Sequence, residues 1–441
     1  MVKKRFFCIC LVLILWWAPA SSQQQNELPF HIDQHKLENG LQVILSEDFS
    51  LPLVSVAVAY HVGSINEEPG KAGIAYLLEN LMFQGSENVG RMQHISFIHR
   101  IGGELNAVTT EDKTIFYQTV PSNQLALVLW LESDRMNSLE ISASNVERVR
   151  DSLIEEIQYR KEADPYLESS VSFDQLLFPD FAHSHPVFGS VHDLRDITVE
   201  EVKDFYSTYY RPNNAVLCIT GDIKKRKALQ LVRKYFATIP EGDDIDPVPE
   251  KSFPEEKSVV RTRQETLASL PAFFLGYRIA SPFSDDYYPL RIIEYILLRG
   301  KTSRLYKRLI KKDRTAFGLG GGIDSRRELA AFKIFTICNN DIMVERSKKA
   351  VLSEINKLKT SLISEEELRK SKNMFKMDYI NQYATYMDRA VFLAQTYLAQ
   401  NNPDDFPQDL QKYLKVTPPE IIGIMNRYFT QKNILLNVKT K

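Results

Sequence analysis

Three polar side chains, Tyr76, Glu79 and Asn80, interrupt the apolar segment IAYLLENLMFQGS at residues 74–86. Their i, i+3 and i+4 spacing places them on one side of a predicted helix. In a zinc peptidase, two histidines one helical turn apart would bind the metal, and a glutamate between them would act as general base. Here only the glutamate has the required chemistry. The segment is therefore either a metal site with unusual ligands or a site that has lost its metal.

The two residues that stand in the histidine positions are poor zinc ligands. Zinc sites in proteins need at least three good ligands, which are usually histidine, cysteine or carboxylate groups. Asn80 offers a neutral amide oxygen, and Tyr76 would have to lose a proton from a hydroxyl with an ordinary pKa of about 10. These residue types therefore argue against catalytic zinc at the segment.

Histidines elsewhere in the chain do not rebuild such a site. His31 and His35 have i, i+4 spacing, but they precede the first predicted strand and lack a helical context. His183 and His185, in the segment HSHP, are predicted to lie in a surface loop or turn. The pattern of histidines thus predicts no replacement for the two missing ligands.

The predicted motif helix has an apolar face that would hold it against a core. This face follows i, i+3, i+4, i+7 and i+8 spacing and consists of Ile74, Leu77, Leu78, Leu81 and Met82. An alternating strand at residues 54–64 precedes the helix, which we expect to end at Gly85. A strand–loop–helix unit therefore carries the polar stripe.

The strand–loop–helix unit occurs twice in the chain. The same order of strand, polar loop, helix and glycine returns in residues 272–300, so that Gly85 and Gly300 stand 215 positions apart. The ends of the two units also match, with Thr198 and Thr417 offset by 219. Two offsets of nearly equal size, at opposite ends of the units, predict duplicated domains.

Strands that are interleaved with helices, some in hairpin-like succession, predict an α+β fold. We expect two homologous domains, each an α/β sandwich of a mainly antiparallel sheet with helices packed on it. The N-terminal domain would span residues 28–240 and contain the motif at 76–80, and the C-terminal domain would span 258–441. Residues 241–257 are rich in proline and acidic side chains and are predicted to form an exposed linker.

The N-terminus has the layout of a secretory signal peptide at residues 1–22. Three basic residues precede an apolar run at 6–17, which is short for a membrane span, and a small-residue Ala-Pro-Ala follows. The alternative is an uncleaved N-terminal anchor. We expect the protein to be exported, either to the periplasm or into the medium.

Overall composition adds two expectations. The 55 Lys and Arg residues nearly balance the 56 Asp and Glu residues, so bulk charge does not favour nucleic acid as a partner. Beyond the predicted signal peptide, Cys218 and Cys338 lie in strand-like runs of different domains. We interpret both as buried small residues and not as a disulfide or a metal-binding pair.

Several segments, in order along the chain, resemble the pitrilysin/insulinase family of zinc metallopeptidases, which includes mitochondrial processing peptidase. The resemblance is to short bacterial members built from two homologous domains, and it runs from about residue 36 to the end. The segments that carry it are LENGLQVIL, VAYHVGSINEEPGKAGIAYLLENLMFQGS, IGGELNAVTTEDKTIFYQTVP, VRDSLIEEI, HPVFGSVHDL, YYRPNNAVLCITGD and GKTSRLYKRLIKKDRTAF.

This resemblance implies a role for five positions around the motif. The two zinc histidines of the family fall on Tyr76 and Asn80, and the general base falls on Glu79. The third zinc ligand falls on Glu156, which is retained, while the carboxylate that supports it one heptad earlier is replaced by Val149. Zinc is the cofactor of the family, but with this set of residues no cofactor is expected in this chain.

The resemblance also implies where a peptide would lie. Asn106 and Ala107 match positions beside the strand edge on which extended substrate pairs in the family, and both are retained. An Arg and a Tyr that position substrate in some members fall on Ile310 and Phe317, so that pair is absent. The resemblance therefore retains one substrate-binding feature and lacks another, and a peptide substrate remains possible.

Three functional hypotheses remain open from the sequence. The leading one is a non-catalytic pseudo-peptidase subunit that pairs with an active homologous chain, because two-domain members of the family commonly enclose a peptide chamber as homodimers or heterodimers. The second is a metal-dependent endopeptidase with atypical ligands. The third is a binding or structural scaffold protein without proteolysis.

Overall fold

The computed structural model describes residues 30–178, 180–245, 251–253, 257–400 and 406–441. The predicted signal peptide at 1–22 lies outside these residues, as do the first two residues of the predicted N-terminal domain and part of the predicted linker. Within the described residues, no helix combines the length and the apolar character needed to cross a membrane.

The first half of the chain forms a six-stranded sheet with the order β1-β2-β6-β3-β5-β4. β2 and β6 are parallel, and the other neighbours are antiparallel. The strands are β1 (Asp33–Lys36), β2 (Gln42–Glu47), β3 (Leu53–Tyr60), β4 (Glu104–Thr109), β5 (Thr114–Pro121) and β6 (Ala215–Gly221). β4 therefore forms one edge of this sheet.

The second half forms a five-stranded sheet with the order β7-β11-β8-β10-β9. β7 and β11 are parallel, and the remaining neighbours are antiparallel. The strands are β7 (Val259–Glu265), β8 (Ala272–Ile279), β9 (Ala316–Arg326), β10 (Leu329–Cys338) and β11 (Ile434–Thr440). The glycine-rich segment FGLGGGID lies in β9, which is an edge strand.

The two sheets repeat one pattern of strands. In each, a central strand, β3 or β8, lies between the last strand of its half and an antiparallel hairpin. The helices that lead into β6 and β11 also begin alike, because Thr198 and Thr417 form capping boxes with Glu201 and Glu420. The prediction of an α+β fold with two homologous domains is thus confirmed.

Helices cover both sheets. Those of the first half are α1 (Ile74–Leu81), α2 (Gln93–Arg100), α3 (Leu125–Asn137), α4 (Ala143–Ala163), α5 (Leu167–Leu177), α6 (Phe181–Ser184), α7 (Val191–Asp196), α8 (Val199–Tyr209) and α9 (Lys225–Phe236). Those of the second half are α10 (Tyr287–Leu297), α11 (Asp341–Thr360), α12 (Glu365–Asn381), α13 (Tyr386–Gln400), α14 (Phe406–Lys415) and α15 (Pro418–Tyr428). A π-helix spans Tyr306–Lys312.

Each half lends one helix to the sheet of the other half. Helix α13 lies across β3, β5 and β6, where its buried Ala390 and Leu393 join the same core as strand residues of the first sheet. Helix α5 lies across β7, β8 and β11, and the ring of Phe173 sits where a Cβ on Gly276 would come within 2.7 Å of it. The two halves therefore share their cores.

Polar contacts fasten the exchanged helix α13. The hydroxyl of Tyr386 donates to the backbone carbonyl of Asp48 at 2.9 Å, and the guanidinium of Arg389 lies 3.1 Å from the carboxylate of Asp48. Although partial burial opposes ionisation, hydrogen bonds from Ser50, Tyr386 and Arg389 hold the pKa of Asp48 at about 2. The aspartate is thus ionised at neutral pH and helps to join the two halves.

Both cysteines outside the predicted signal peptide are buried and free, Cys218 in β6 and Cys338 in β10. Since these strands belong to different sheets, the interpretation as buried small residues is confirmed. Neither thiol is available at the surface.

Candidate functional site

The motif helix α1 is packed as its sequence pattern predicts. Its apolar residues are buried, and Glu79 on the neighbouring stripe is only 9% exposed. The predicted end of the helix at Gly85 is wrong, because α1 ends at Leu81. The chain then tightens into i→i+3 hydrogen bonds, such as that from the Gln84 N–H to the Leu81 carbonyl at 2.8 Å.

A buried carboxylate caps the start of the motif helix. Glu67 accepts hydrogen bonds from the backbone N–H groups of Gly73 at 2.8 Å and Ala75 at 2.9 Å. Its Oε2 also lies 2.8 Å from Nε2 of His185, and both of these side chains are buried. The carboxylate satisfies N–H groups that have no partner within the helix, which fixes the position of α1.

The prediction that His183 and His185 lie at the surface is wrong because both are buried, and the prediction of a loop or turn holds only for His185. His183 belongs to the short helix α6, and His185 follows it directly. His183 is fully buried, with Nδ1 2.8 Å from Asp180, and its Nε2 lies 3.5 Å from Glu328 of the second half. Because carboxylates pair with both rings, burial of these polar side chains is tolerated.

Tyr76 and Glu156 come together in space, 80 residues apart in sequence. The hydroxyl of Tyr76 donates to the two carboxylate oxygens of Glu156 at 3.0 and 3.2 Å. Arg160, one turn further along α4, donates to Oε1 of Glu156 from Nε at 2.8 Å and from Nη2 at 2.5 Å. The carboxylate is thereby engaged by one tyrosine hydroxyl and one guanidinium.

The position of the second family histidine is occupied by a side chain that turns back on its own helix. The amide Nδ2 of Asn80 donates to the backbone carbonyl of Tyr76 at 3.0 Å. This is a local i, i−4 contact of the kind that Asn forms in helices. Within the described residues, the structure gives the Asn80 amide no contact with Glu156.

Glu79 is paired with one hydroxyl group and, among the described residues, with no cation. Its Oε2 accepts a hydrogen bond from the Thr109 hydroxyl at 2.5 Å, and the Thr114 hydroxyl lies 3.3 Å from that of Thr109. Burial raises the pKa of Glu79, the hydrogen bonds from Thr109 oppose this, and the nearby charge of Glu156 adds to it. The glutamate is thus held with little compensation for its negative charge.

The residues around this stripe do not fit a zinc ion. Burial and the adjacent Glu156 carboxylate raise the pKa of Tyr76 to about 12, so its hydroxyl keeps its proton at neutral pH. Among the described residues, no group of three or more His, Cys, Asp or Glu side chains is placed to hold a metal. A zinc site needs three good ligands. Of the three family ligand positions, only Glu156 carries such a group, and its carboxylate is already paired.

The other predicted positions lie on elements other than the motif helix. Asn106 and Ala107 are on the edge strand β4, and Oδ1 of Asn106 accepts a hydrogen bond from the Ala107 N–H at 2.9 Å. Val149 is buried in the core of the first half. Ile310 lies in the π-helix, and Phe317 is exposed on β9. The edge of β4 is therefore open to a further strand.

Three contacts in and beside the site were not anticipated from the sequence. They are made by Arg160, Thr109 and the pair Glu67–His185. The i, i+4 spacing of Glu156 and Arg160 in EEIQYRK was a visible signal for the first of them. The other two depend on residues that are far apart in the chain, and no local pattern marks them.

Two models of one peptidase family match this chain. The model described as insulinase (peptidase family M16) matches residues 42–179, and the model described as peptidase M16 inactive domain matches residues 196–375. Together they cover most of both halves.

Individual proteins extend these matches over nearly the full chain. Zinc protease PqqE of Helicobacter pylori is 28% identical over 435 residues, which is 97% of this chain and 96% of that protein. The crystal structure of a protease from Helicobacter pylori superposes with a TM-score of 0.87 at 26% identity, covering 93% of this chain and 99% of the other. The periplasmic protease PqqL from Escherichia coli shares the fold, with a TM-score of 0.76 at 18% identity over 94% of this chain and 48% of its own.

Proposed function

Since this chain belongs to the insulinase-type peptidase family M16, we propose that it is a non-catalytic subunit of such a peptidase. In this role it pairs with a homologous chain that carries zinc and takes part in peptide or protein processing. It contributes a binding surface and leaves hydrolysis to its partner.

The network of Tyr76, Glu156 and Arg160 is the observation that carries this proposal. The Glu156 carboxylate, the family ligand that the sequence retains, is bound by a hydroxyl and by a guanidinium. A guanidinium stays protonated at any physiological pH. The positive charge of Arg160 therefore remains beside Glu156 and opposes binding of a divalent cation there. The carboxylate of Glu156 therefore has hydrogen-bonding partners and a counter-charge without a metal ion.

Glu79 is poorly suited to act as a base in this setting. A general base must lie within reach of the proton that it removes, and in metallopeptidases that proton belongs to a metal-bound water. Here the carboxylate accepts a short hydrogen bond from Thr109 and is almost fully buried. We assign Glu79 a structural role between α1 and β4.

Peptide binding is the activity that the remaining geometry supports. The outer edge of β4 has no neighbouring strand in the sheet order, and it carries Asn106 and Ala107. An extended peptide adds to such an edge through main-chain hydrogen bonds, without any catalytic group. The subunit would hold substrate for its partner in this way.

The proposed setting is outside the cytoplasm. Residues 1–22 have the composition of a signal peptide, and the structural neighbour PqqL is described as periplasmic. We propose export to the periplasm or release from the cell.

Metal analysis of the purified chain tests the central part of the proposal. We expect far less than one zinc per chain after dialysis against zinc buffer, and no chelator-sensitive cleavage of unstructured peptides. Glu79→Gln should match the wild-type protein in both assays. One zinc per chain, with cleavage that Glu79→Gln abolishes, would instead establish a metallopeptidase with atypical ligands.

Co-purification from the native organism tests the pairing. We expect a homologous chain with an intact H-x-x-E-H motif to co-elute with this protein, and peptide cleavage to appear only in that fraction. Elution as a homodimer without cleavage, or without any peptidase homologue, would favour the scaffold hypothesis.

A further inference from the structure

We propose that Arg160 takes over the electrostatic role of a metal ion at Glu156 and closes the site to divalent cations. The inference deepens the proposed function, and it rests on that proposal in assuming that the native site holds no zinc. It adds a second reason why the site would hold no zinc. Besides the two missing histidines, the guanidinium of Arg160 pairs with the retained carboxylate of Glu156.

The hydrogen bonds on Glu156 fall mainly on one of its two carboxylate oxygens. Oε1 accepts from Nε and Nη2 of Arg160 at 2.8 and 2.5 Å and from the Tyr76 hydroxyl at 3.0 Å. Oε2 accepts from the same hydroxyl at 3.2 Å. A metal ion would have to displace these charge-assisted bonds to use Oε1 as a ligand, which leaves Oε2 as the more accessible oxygen.

Aromatic rings hold the guanidinium in place although its side chain is partly exposed. The guanidinium carbon lies 5.5 Å from the centre of the Phe188 ring and 6.0 Å from that of Tyr76. Nη2 is also 3.4 Å from the Tyr76 hydroxyl. These contacts distinguish Arg160 from a freely moving surface arginine, whose ion pair would have little effect.

A fixed positive charge at this position opposes metal binding in a second way. Any ion that bridged position 76, position 80 and Glu156 would lie close to the guanidinium that contacts the same carboxylate. Like charges at such separation repel strongly where water is partly excluded. Restoring the two histidines would remove the Tyr76 hydroxyl but leave this charge in place.

Zinc binding by designed variants tests the inference. The starting variant is Y76H/N80H, which restores the histidine spacing, and the test variant is Y76H/N80H/R160Q. We expect the test variant to bind zinc at least tenfold more tightly than the starting variant, measured by competition with a chromophoric chelator. A zinc-dependent rise in Tm should show the same ranking.

Lys161 provides a matched control. Its side chain is as exposed as that of Arg160, at 44% for each, but it pairs with Glu168 at 2.7 Å and not with Glu156. Y76H/N80H/K161Q removes an equal charge from the adjacent residue, so we expect its zinc affinity to stay within twofold of the starting variant.

Each remaining outcome would overturn the inference. Equal zinc affinity of Y76H/N80H and Y76H/N80H/R160Q would show that Arg160 does not close the site, and so would failure of both to bind. An equal gain from K161Q would show a general effect of surface charge. If R160Q does not fold, as judged by circular dichroism, R160M replaces it in the same comparison. Zinc binding by the wild-type chain, measured in parallel, would overturn the proposed function separately.

Discussion

The two halves carry a glutamate at equivalent positions of equivalent helices, but they surround its carboxylate with different partners. Glu79 in α1 and Glu294 in α10 are 215 residues apart, which is the offset of the repeat, and Arg291 stands where the first half has Tyr76. Glu294 is fully buried and pairs with Arg291 at 2.5 Å and with Arg299 at 2.6 Å. Glu79 pairs with no cation in the part of the chain that the structure describes.

The neighbouring strands differ in a matching way. The ladder registers place Gly322 of β9 where the first half has Thr109 of β4. Thr109 donates its hydroxyl to Glu79, whereas a Cβ at Gly322 would lie 2.5 Å from Oε1 of Glu294. The second half thus needs space for a paired carboxylate, and the first half supplies a hydrogen-bond donor.

This difference separates a glutamate that two guanidinium groups neutralise from one that, among the described residues, pairs with a single hydroxyl. A buried ion pair with two guanidinium groups satisfies the carboxylate permanently and suits a structural role. A buried carboxylate with only a hydroxyl partner is the arrangement expected when a site is built for a further ligand. The first half has this arrangement at Glu79, which agrees with the proposed function.

Removing Glu294 should have the largest effect. Glu294→Gln leaves Arg291, whose side chain is only 23% exposed, without its charge partner, so we expect a loss of about 3 kcal/mol in the free energy of unfolding. Denaturant unfolding followed by circular dichroism measures it. As a control, Glu68→Gln breaks a more exposed pair with Lys71, which keeps its second partner Glu201, and should cost less than about 0.5 kcal/mol. Equal losses would remove the distinction between the two halves.

Adding a methyl group at Gly322 should have the next largest effect. Gly322→Ala forces its Cβ against the Glu294 carboxylate, at a backbone φ of +151° that side chains rarely adopt. We expect a loss of about 2 kcal/mol in unfolding free energy. Gly318→Ala on the same strand meets only an ordinary contact at 3.4 Å and serves as the control. A neutral Gly322→Ala would show that the carboxylate moves freely.

Removing the hydroxyl beside Glu79 should have a smaller effect. Thr109→Val deletes the donor to the carboxylate, so we expect a loss of about 1 kcal/mol in unfolding free energy and a further rise in the pKa of Glu79. Denaturant unfolding and NMR titration of the carboxyl carbon measure the two. Thr109→Ser keeps the hydroxyl and should restore both values. An unchanged pKa in the valine variant would contradict the assigned contact.

Neutralising Glu79 should have the smallest effect, and its sign should depend on pH. Since folding raises the pKa of Glu79, ionisation destabilises the folded protein increasingly as pH rises above the ordinary value of 4.5. Glu79→Gln removes this cost, so its stability relative to wild type should increase from pH 4 to pH 8, by no more than about 1 kcal/mol. A loss at pH 8 as large as that of Glu294→Gln would show that a cation neutralises Glu79.

The sequence predicted the repeat, the packed face of the motif helix and the fold class because these depend on local periodicity. Spacing of apolar residues determines which face of α1 is buried, and the two offsets of the repeat determine equivalent positions. The resemblance assigned Tyr76 and Glu156 to ligand positions of one site, and the structure brings the two side chains into contact.

The sequence did not predict contacts that join distant segments. Burial of His185 is tolerated because its ring pairs with the carboxylate of Glu67, 118 residues earlier. The short HSHP segment contains no sign of that partner. The sequence of helix α13 indicates which of its faces is apolar. It does not indicate that this face packs on the sheet of the other half. Arg160 had a visible partner at i−4, yet its approach to Tyr76 and Phe188 depends on how α4 packs.

The exchange of α5 and α13 has a consequence for folding. Contacts such as that between Tyr386 and Asp48 span 338 residues, and long-range contacts of this kind slow folding. The ribosome must complete α13 before the first sheet receives its second cover, so the N-terminal half cannot finish folding on its own during synthesis. We therefore expect folding to be completed late and the two halves to unfold cooperatively. Cleavage of the chain within the linker should therefore destabilise the folded structure of both halves together.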